Sequence, residues 1–372
     1  MSRKNRRITT ALSCLIILGL LAYAGYIYKL SGDVLYFFKT RTVWQAEKKR
    51  TCNAARKNYI YADLRPETLA RGGDRQPLEI SCKDPLKLPL TEHYALNHRQ
   101  MKVHYVRYIS PKVSEQAPIL LFVPGISANY LAGARYYGLA ERLGAELVIM
   151  EPTNHGWSDD DGSGAAFGCR EKHDVVAVVK DLLTHNQRKM YVFTTSMGGM
   201  TFTNALPELR TFAPQIFGVT LENPPSSLRD VMVDQAHKRD LPEFMVNQVH
   251  GLAQWRAGLE FGPCATVNQV KHVFTPTQIT GTPQDHLVPL PMVKKVFEAL
   301  PTLSAMPGKA SSSWHEFRVY PHGGHSIIWN GQPEVFEKDL QAFWQKSMAW
   351  HQAKYPDSYQ GDSYQGSTLP SQ

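Results

Sequence analysis

The sequence predicts an α/β protein: a mostly parallel central sheet, helices on both faces and a small helical insert over the strand ends. Three observations carry that prediction. From Met101 onward, short apolar runs alternate with helix-patterned stretches, the signature of strands buried on both faces and joined by helices. The stretch Met190-Tyr-Val-Phe-Thr-Thr-Ser-Met-Gly-Gly-Met200 reads as a strand, a turn of small residues and the start of a helix, an arrangement that presents a serine hydroxyl at the carboxyl end of a buried strand. Asp285 and then His325 follow, each after a strand-like run.

The amino terminus differs from the rest of the chain. Residues 1–57 hold twelve Lys or Arg against Asp33 and Glu47, a net of +10, whereas the 372-residue chain carries +8, which leaves −2 for residues 58–372. The basic balance therefore belongs to one end, and points to an anionic membrane surface rather than to nucleic acid bound by the folded body. Residues 1–7 read as a basic cytoplasmic tail. Ile8 to Tyr28 is a run of 21 residues without a charge, about 30 Å long as a helix and able to cross a hydrocarbon core. Ala22-Tyr23-Ala24 fits a signal-peptide cleavage site, so secretion after cleavage is the alternative to an uncleaved anchor. The anchor is favoured because apolar residues continue through Tyr26, Ile27 and Tyr28.

The flanking charges do not fix orientation, since Lys29, Lys39 and Arg41 nearly match the amino-terminal cluster. The cysteines point outward. Cys52, Cys82, Cys169 and Cys264 lie beyond the span, an even number compatible with two disulfides in an oxidising compartment. Of the three connectivities, Cys52–Cys82 with Cys169–Cys264 is the simplest. The expectation is a body outside the cytoplasm, with four free thiols in a cytosolic body as the competing reading.

Between residues 29 and 87 the chain reads as a juxtamembrane stretch and an irregular arm. Val34, Leu35, Phe37, Phe38, Val43 and Trp44 interleave with Lys39 and Arg41, as in a basic helix lying on a membrane or continuing the anchor. Pro66, Gly72-Gly73, Pro77, Pro85 and Pro89 then break regular structure. The catalytic body is expected at residues 88–355, with strands at Met101–Tyr108, Pro118–Val123, Glu146–Met150, Met190–Phe193, Phe217–Leu221, Val273–Ile279 and Glu316–Tyr320. Helices are expected at Tyr130–Leu143 and Asp174–Leu183. Residues 225–270 interrupt the alternation and read as a helical insert, with apolar Met232, Phe244, Val246, Val249, Leu252 and Trp255. Residues 356–372 repeat Asp-Ser-Tyr-Gln-Gly and read as a disordered tail.

Five ordered stretches resemble the α/β-hydrolase family, especially its monoglyceride-lipase and lysophospholipase-like members. Leu120-Leu-Phe-Val-Pro-Gly-Ile-Ser127 resembles the oxyanion strand and turn, with Pro124 replacing a histidine. Glu151-Pro-Thr-Asn-His-Gly-Trp-Ser158 is similar to the D-x-R-G-H-G-x-S loop, with Glu151 and Asn154 as departures. Thr194 to Gly199 is similar to the G-x-S-M-G-G elbow, Thr194 replacing the first glycine. Ile279 to Pro289 resembles the loop of the acid, and Tyr320-Pro-His-Gly-Gly-His-Ser326 that of the histidine. The resemblance implies Ser196 as nucleophile, Asp285 and His325 as its partners, and the backbone amides of Ile126 and Met197 as the oxyanion hole.

The chemistry stands beside the resemblance. A serine hydroxyl is a weak nucleophile, so an imidazole must take its proton and later protonate the leaving group; His325 is the expected base and His322 the alternative. A carboxylate fixes the imidazole tautomer; Asp285 is expected, with Glu222 as the fallback. No metal site is indicated, because His155, His322 and His325 lack ligand spacing with a carboxylate, and no cofactor loop is present. The expected function is membrane-anchored hydrolysis of lipid-like or small acyl esters. Acyl transfer or thioester hydrolysis on the same triad, and a catalytically silent binding protein allowed by Thr194 and Pro124, are the alternatives.

Overall fold

In a computed structural model, the described residues are 3–36, 90–110, 112–126, 128–303 and 314–359. The irregular arm, the Cys52–Cys82 pairing and Phe37 to Trp44 lie outside them.

Eight strands form one sheet: β1 (Leu90–Leu96), β2 (Lys102–Tyr108), β3 (Ile119–Val123), β4 (Glu146–Met150), β5 (Met190–Thr195), β6 (Ile216–Glu222), β7 (Thr277–Gly281) and β8 (Glu316–Val319). Their order is β1-β2-β4-β3-β5-β6-β7-β8. β2 pairs antiparallel with β1 and β4, and β3 to β8 are mutually parallel. In β3, β4, β5, β6 and β7 every residue is buried, which is why these stretches read as continuous apolar runs.

Side-chain alternation divides each central strand between two cores. Ile119, Leu121 and Val123 of β3, with Met190 and Val192 of β5, face one core; Leu120, Phe122, Tyr191 and Phe193 face the other. Helices α4 (Lys172–Leu183), α5 (Met197–Leu209) and α9 (Leu290–Glu298) cover the first core. The short helices α2 (Leu131–Ala134) and α3 (Tyr137–Arg142), with α10 (Ile328–Gly331) and α11 (Pro333–Lys354), cover the second. Each fully buried Leu, Val or Phe contributes about 1.5–3 kcal/mol.

The pairing register aligns the strand ends. Val123 stands beside Thr194, Thr195 beside Glu222, Glu222 beside Thr280 and Gly281 beside Val319. The loops that leave β3, β5, β6, β7 and β8 therefore emerge along one edge.

Some elements differ from expectation. β1 is an added antiparallel edge strand, hidden in the sequence because Thr91, Glu92 and His93 make it polar and four of its seven residues are exposed. β7 begins at Thr277, not Val273, since Pro276 precedes it and Val270–His272 form a 3-10 turn. The stretch Tyr130–Leu143 is two short helices, not one. There Gly133 packs so closely on Phe122 and Ile149 that a Cβ would come within 2.7–2.9 Å of their side chains. Pro356–Tyr359 form a 3-10 turn, with Lys189 over the Tyr359 ring at 4.5 Å.

The 225–270 segment holds helices α6 (Leu228–His237), α7 (Glu243–Ala257) and α8 (Thr266–Gln269). The Ser227 hydroxyl caps α6 by accepting from Asp230 N at 2.9 Å, and Gly258 ends α7 in the left-handed conformation. A disulfide between Cys169 and Cys264, 5.4 Å apart at Cα, ties the end of this segment to the loop before α4. It sits in a cluster with Leu35, Ala166, Leu228 and Phe261.

At the amino terminus, helix α1 runs unbroken from Arg3 to Leu35 and takes in the start of the expected juxtamembrane helix. Its segment Thr10–Leu35 is long and apolar enough to cross a membrane. Leu12, Leu15, Ile16, Leu18 and Leu21 are exposed, whereas Ile27, Ser31 and Leu35 are buried against the body. Arg256 near the end of α7 donates from Nη1 to Tyr28 O and to Ser31 Oγ, each at 2.8 Å, and lies 4.2 Å from the Tyr28 ring centroid. Tyr23 donates to Gln248 of the same helix, and Ala165 N donates to Leu35 O at 2.9 Å.

Asp174, at the start of α4, is buried and holds the loop that follows β4. It accepts from Asn97 Nδ2 at 2.7 Å and from Thr153 N and Oγ1 at 2.8 Å each. Burial pushes its carboxyl up from 3.8 to about 6. An acid raised on folding contributes stability that is complete below its unfolded value and is lost as pH rises through its folded value.

Two outcomes are expected. Thermal unfolding should show stability falling by up to about 3 kcal/mol between about pH 4 and pH 6, two pK units at 1.36 each, and Asp174→Asn should flatten that slope. Cys169→Ser with Cys264→Ser should cost about 2–5 kcal/mol by the same measurement, since the bond closes a loop of 95 residues.

Candidate active site

Ser196 follows directly on β5 and caps α5 with φ 53° and ψ −123°, a backbone conformation that a residue with a Cβ adopts only under constraint. The constraint is visible on every side. Ser196 N donates to Glu222 O at 2.9 Å, extending the β5–β6 ladder, and Gly199 N returns to Ser196 O at 2.9 Å. Gly198 passes over the end of β3 so closely that a Cβ would fall 2.2 Å from Val123 O. Gly125, in the turn after β3, faces Ser196, where a Cβ would meet the Ser196 Cβ at 3.0 Å.

Two of the departures named above, Thr194 and Pro124, stand at this turn. Thr194 is fully buried beside Gly199, where a Cβ would lie 3.4 Å from its hydroxyl, an ordinary contact. Pro124 contributes no N–H, yet the turn closes without one. Gly125 N donates to Thr195 Oγ1 at 3.2 Å, and Ala128 N to Gly125 O at 3.3 Å.

The three expected side chains meet. His325 Nε2 lies 2.7 Å from Ser196 Oγ, and His325 Nδ1 lies 2.7 Å from Asp285 Oδ2. The other carboxylate oxygen, Oδ1, accepts from Leu287 N and Val288 N at 2.8 Å each. Asp285 can only accept when ionised, so Nδ1 carries the proton and Nε2 is left to accept from the serine. Met197 N is the first amide of α5 and has no acceptor within the helix. Ile126 packs with Met197, Ala165 and Phe167 in one small apolar cluster beside Ser196.

His322 and Glu222 stand elsewhere. His322 is exposed, and its carbonyl accepts from Gln332 Nε2 at 2.9 Å. Glu222 is buried beneath the site, where Oε1 accepts from Ile328 N at 3.0 Å. Burial raises its pKa, with the Arg135 charge opposing. Arg135 Nη2 donates to Ser326 O at 2.6 Å, and Ser326 N reaches Asn223 Oδ1 at 3.4 Å. Glu222, Asn223 and Arg135 thus hold both sides of the His325 loop. Gly323 at φ 113° makes its bend, with a Cβ there only 2.6 Å from Ile328 Cα.

The Glu151–Ser158 loop explains its own departure. The Glu151 carboxylate accepts from Tyr130 N at 2.8 Å and Trp157 N at 2.7 Å, and lies 2.7 Å from His104 Nδ1. Gly156, at φ 48°, must lack a side chain because a Cβ would sit 2.1 Å from that carboxyl carbon. His155 is buried, with Nδ1 3.1 Å from Thr153 O, and burial lowers its pKa. Among the described residues, no cluster of three or more His, Cys, Asp or Glu could hold a metal ion.

Ser196 opens into a cavity of about 400 Å³. Apart from Asp33, Ser196, Gln235 and Arg239, its walls are apolar, and they include Met200 of α5, Val231 and Met232 of α6, and Val249 of α7. Leu30 and Val34 of α1 complete the wall. Sequence reasoning missed this contribution of α1, and it missed Arg135, since neither belongs to a motif.

The sequence matches no family model and no curated protein sequence. Solved structures do resemble the chain. An esterase from Pyrococcus furiosus superposes with a TM-score of 0.55 at 17% identity, over 72% of this chain and 94% of that one. A second crystal form of it gives 0.52 at 15% identity, over 77% and 97%. DcsB in complex with its substrate analogue gives 0.51 at 14% identity, over 70% and 99%. With the strand order and the turn at Ser196, these likenesses establish the α/β-hydrolase fold.

The close approach of α5 to the end of β3 yields a direct test. Gly198→Ala forces a methyl group against Val123 O, and overpacking of this kind costs about 1–3 kcal/mol. Differential scanning calorimetry should show the lower melting temperature, while Gly162→Ala, where a Cβ meets nothing within 4 Å, should cost less despite its own positive φ.

Proposed function

We propose that this chain is a serine ester hydrolase, held at a membrane by α1, that cleaves acyl esters with apolar acyl chains. The observation that carries the reading is the continuous relay Ser196 Oγ–His325 Nε2 and His325 Nδ1–Asp285 Oδ2, each link 2.7 Å. Ser196 Oγ attacks the acyl carbon while His325 Nε2 takes its proton. The charge on the carbonyl oxygen is met by Met197 N and Ile126 N. His325 then gives the proton to the departing alcohol, leaving an acyl group on Ser196, and a water activated by the same nitrogen releases the acid. Asp285, fixed by two backbone amides, orients the imidazole and stabilises its charged form.

The cavity supports an apolar acyl substrate. A wall built from Met, Val and Leu recognises hydrocarbon by area, not by hydrogen bonds. Helix α1 supports the membrane location, and the Cys169–Cys264 bond supports a body outside the cytoplasm, in an oxidising compartment.

A fluorophosphonate probe should label wild-type protein on the Thr194–Met200 peptide and leave Ser196→Ala unlabelled. His325→Ala should lower turnover by several orders of magnitude, whereas His322→Ala should retain most of it; equal losses would reject the assignment of the base. Across p-nitrophenyl esters, kcat/KM should rise by about fourfold per added methylene, from about 0.8 kcal/mol each, until the cavity is full.

A further inference from the structure

We propose that the acyl-binding cavity is closed by the membrane anchor itself, so that Leu30 and Val34 of α1 set the length of acyl chain accepted and the chain comes directly from a bilayer lipid. The inference rests on the ester-hydrolase reading of Ser196 and adds the source and limit of its substrate.

The geometry follows from how α1 docks. The uncharged run Ile8–Tyr28 is about 30 Å long as a helix, and its end and the turn after it touch the body: Tyr23 bonds Gln248, and Tyr28 and Ser31 take the two hydrogen bonds of Arg256. These pairs ascend together in both helices, so α1 and α7 run in the same direction. Gly32 gives Arg256 its room, since a Cβ there would lie 3.2 Å from Nη1. The next turn of α1 places Leu30 and Val34 in the wall of the cavity that holds Ser196. The helix that spans the bilayer and the helix that bounds the substrate are therefore one rigid element.

Helix α7 is suited to that level. Phe244, Gln248 and Trp255 are spaced i, i+4 and i+11 and share one face, the face that receives Tyr23. Phe244 is 56% exposed and Trp255 76%. Large aromatic side chains of this kind favour the boundary between lipid and water. Tyr28 of α1, 56% exposed, stands level with Trp255, since its carbonyl accepts from the adjacent Arg256. With α1 and α7 both in its wall, the cavity sits at the end of the spanning run, next to the leaflet, and a lipid tail reaches it along the anchor without an aqueous step.

The test uses the full-length protein in detergent micelles with p-nitrophenyl esters from two to sixteen carbons. The readout is the ratio of kcat/KM for the twelve-carbon ester to that for the two-carbon ester. Val34→Trp, which fills the cavity from the anchor side, should lower the ratio at least tenfold. Leu30→Ala, which enlarges it, should move the optimum to a longer chain. Leu18→Trp, on the exposed stretch of the same helix, should change neither the ratio nor the rates. A chain-length profile for Leu30→Ala that superposes on wild type would overturn the proposal, and this holds even if Val34→Trp fails to fold. Two-carbon hydrolysis that persists in that case leaves the hydrolase reading standing. Absence of hydrolysis of every ester by wild-type protein would instead overturn the hydrolase reading and this inference with it.

Discussion

The site depends on one backbone conformation. Ser196 is held at positive φ because its amide completes the ladder to Glu222 while the helix that follows must turn back at once over the end of β3. Nothing larger than glycine fits at the crossing, as the approach of Gly198 to Val123 O makes plain. A residue held in this region costs of order 1–3 kcal/mol, and the surrounding sheet, buried on both faces, supplies it. Displace the crossing and the serine hydroxyl, the first amide of α5 and the turn at Ile126 all lose their common geometry.

Around that point the molecule uses its polar groups to hold loops in position. Asp285 spends one oxygen on two backbone amides and the other on His325. Glu222, one strand away, is kept out of the relay by its place beneath the sheet edge and braces the histidine loop through Ile328 N instead. Two carboxylates near one imidazole thus have separate duties, set by direction and not by proximity alone.

Much of this was readable from residue order. The strands of the central sheet are buried on both faces and could be found as runs; Ser196 follows directly on β5, and Asp285 and His325 lie one loop beyond β7 and β8. What escaped detection has a common physical cause: it depends on contacts between segments far apart in sequence. β1 is polar because it is an edge with water on one side. Arg135 lies in a broken helix, and its interaction with the Ser326 carbonyl is invisible to local pattern. Leu30 and Val34 look like ordinary anchor residues, since an apolar side chain facing lipid and one facing a cavity have the same composition.

The disulfide has a mechanical consequence. The segment over the site enters at Pro224–Pro225, packed against Gly199, and leaves through Cys264, bonded to Cys169. Phe167 and Phe261, on either side of that bond, stack edge to face with centroids 5.7 Å apart. Both attachments are thereby pinned to the body. A cover fixed at both ends does not swing away as a hinged door, and α7 is held to α1 as well, through Arg256 and Tyr23.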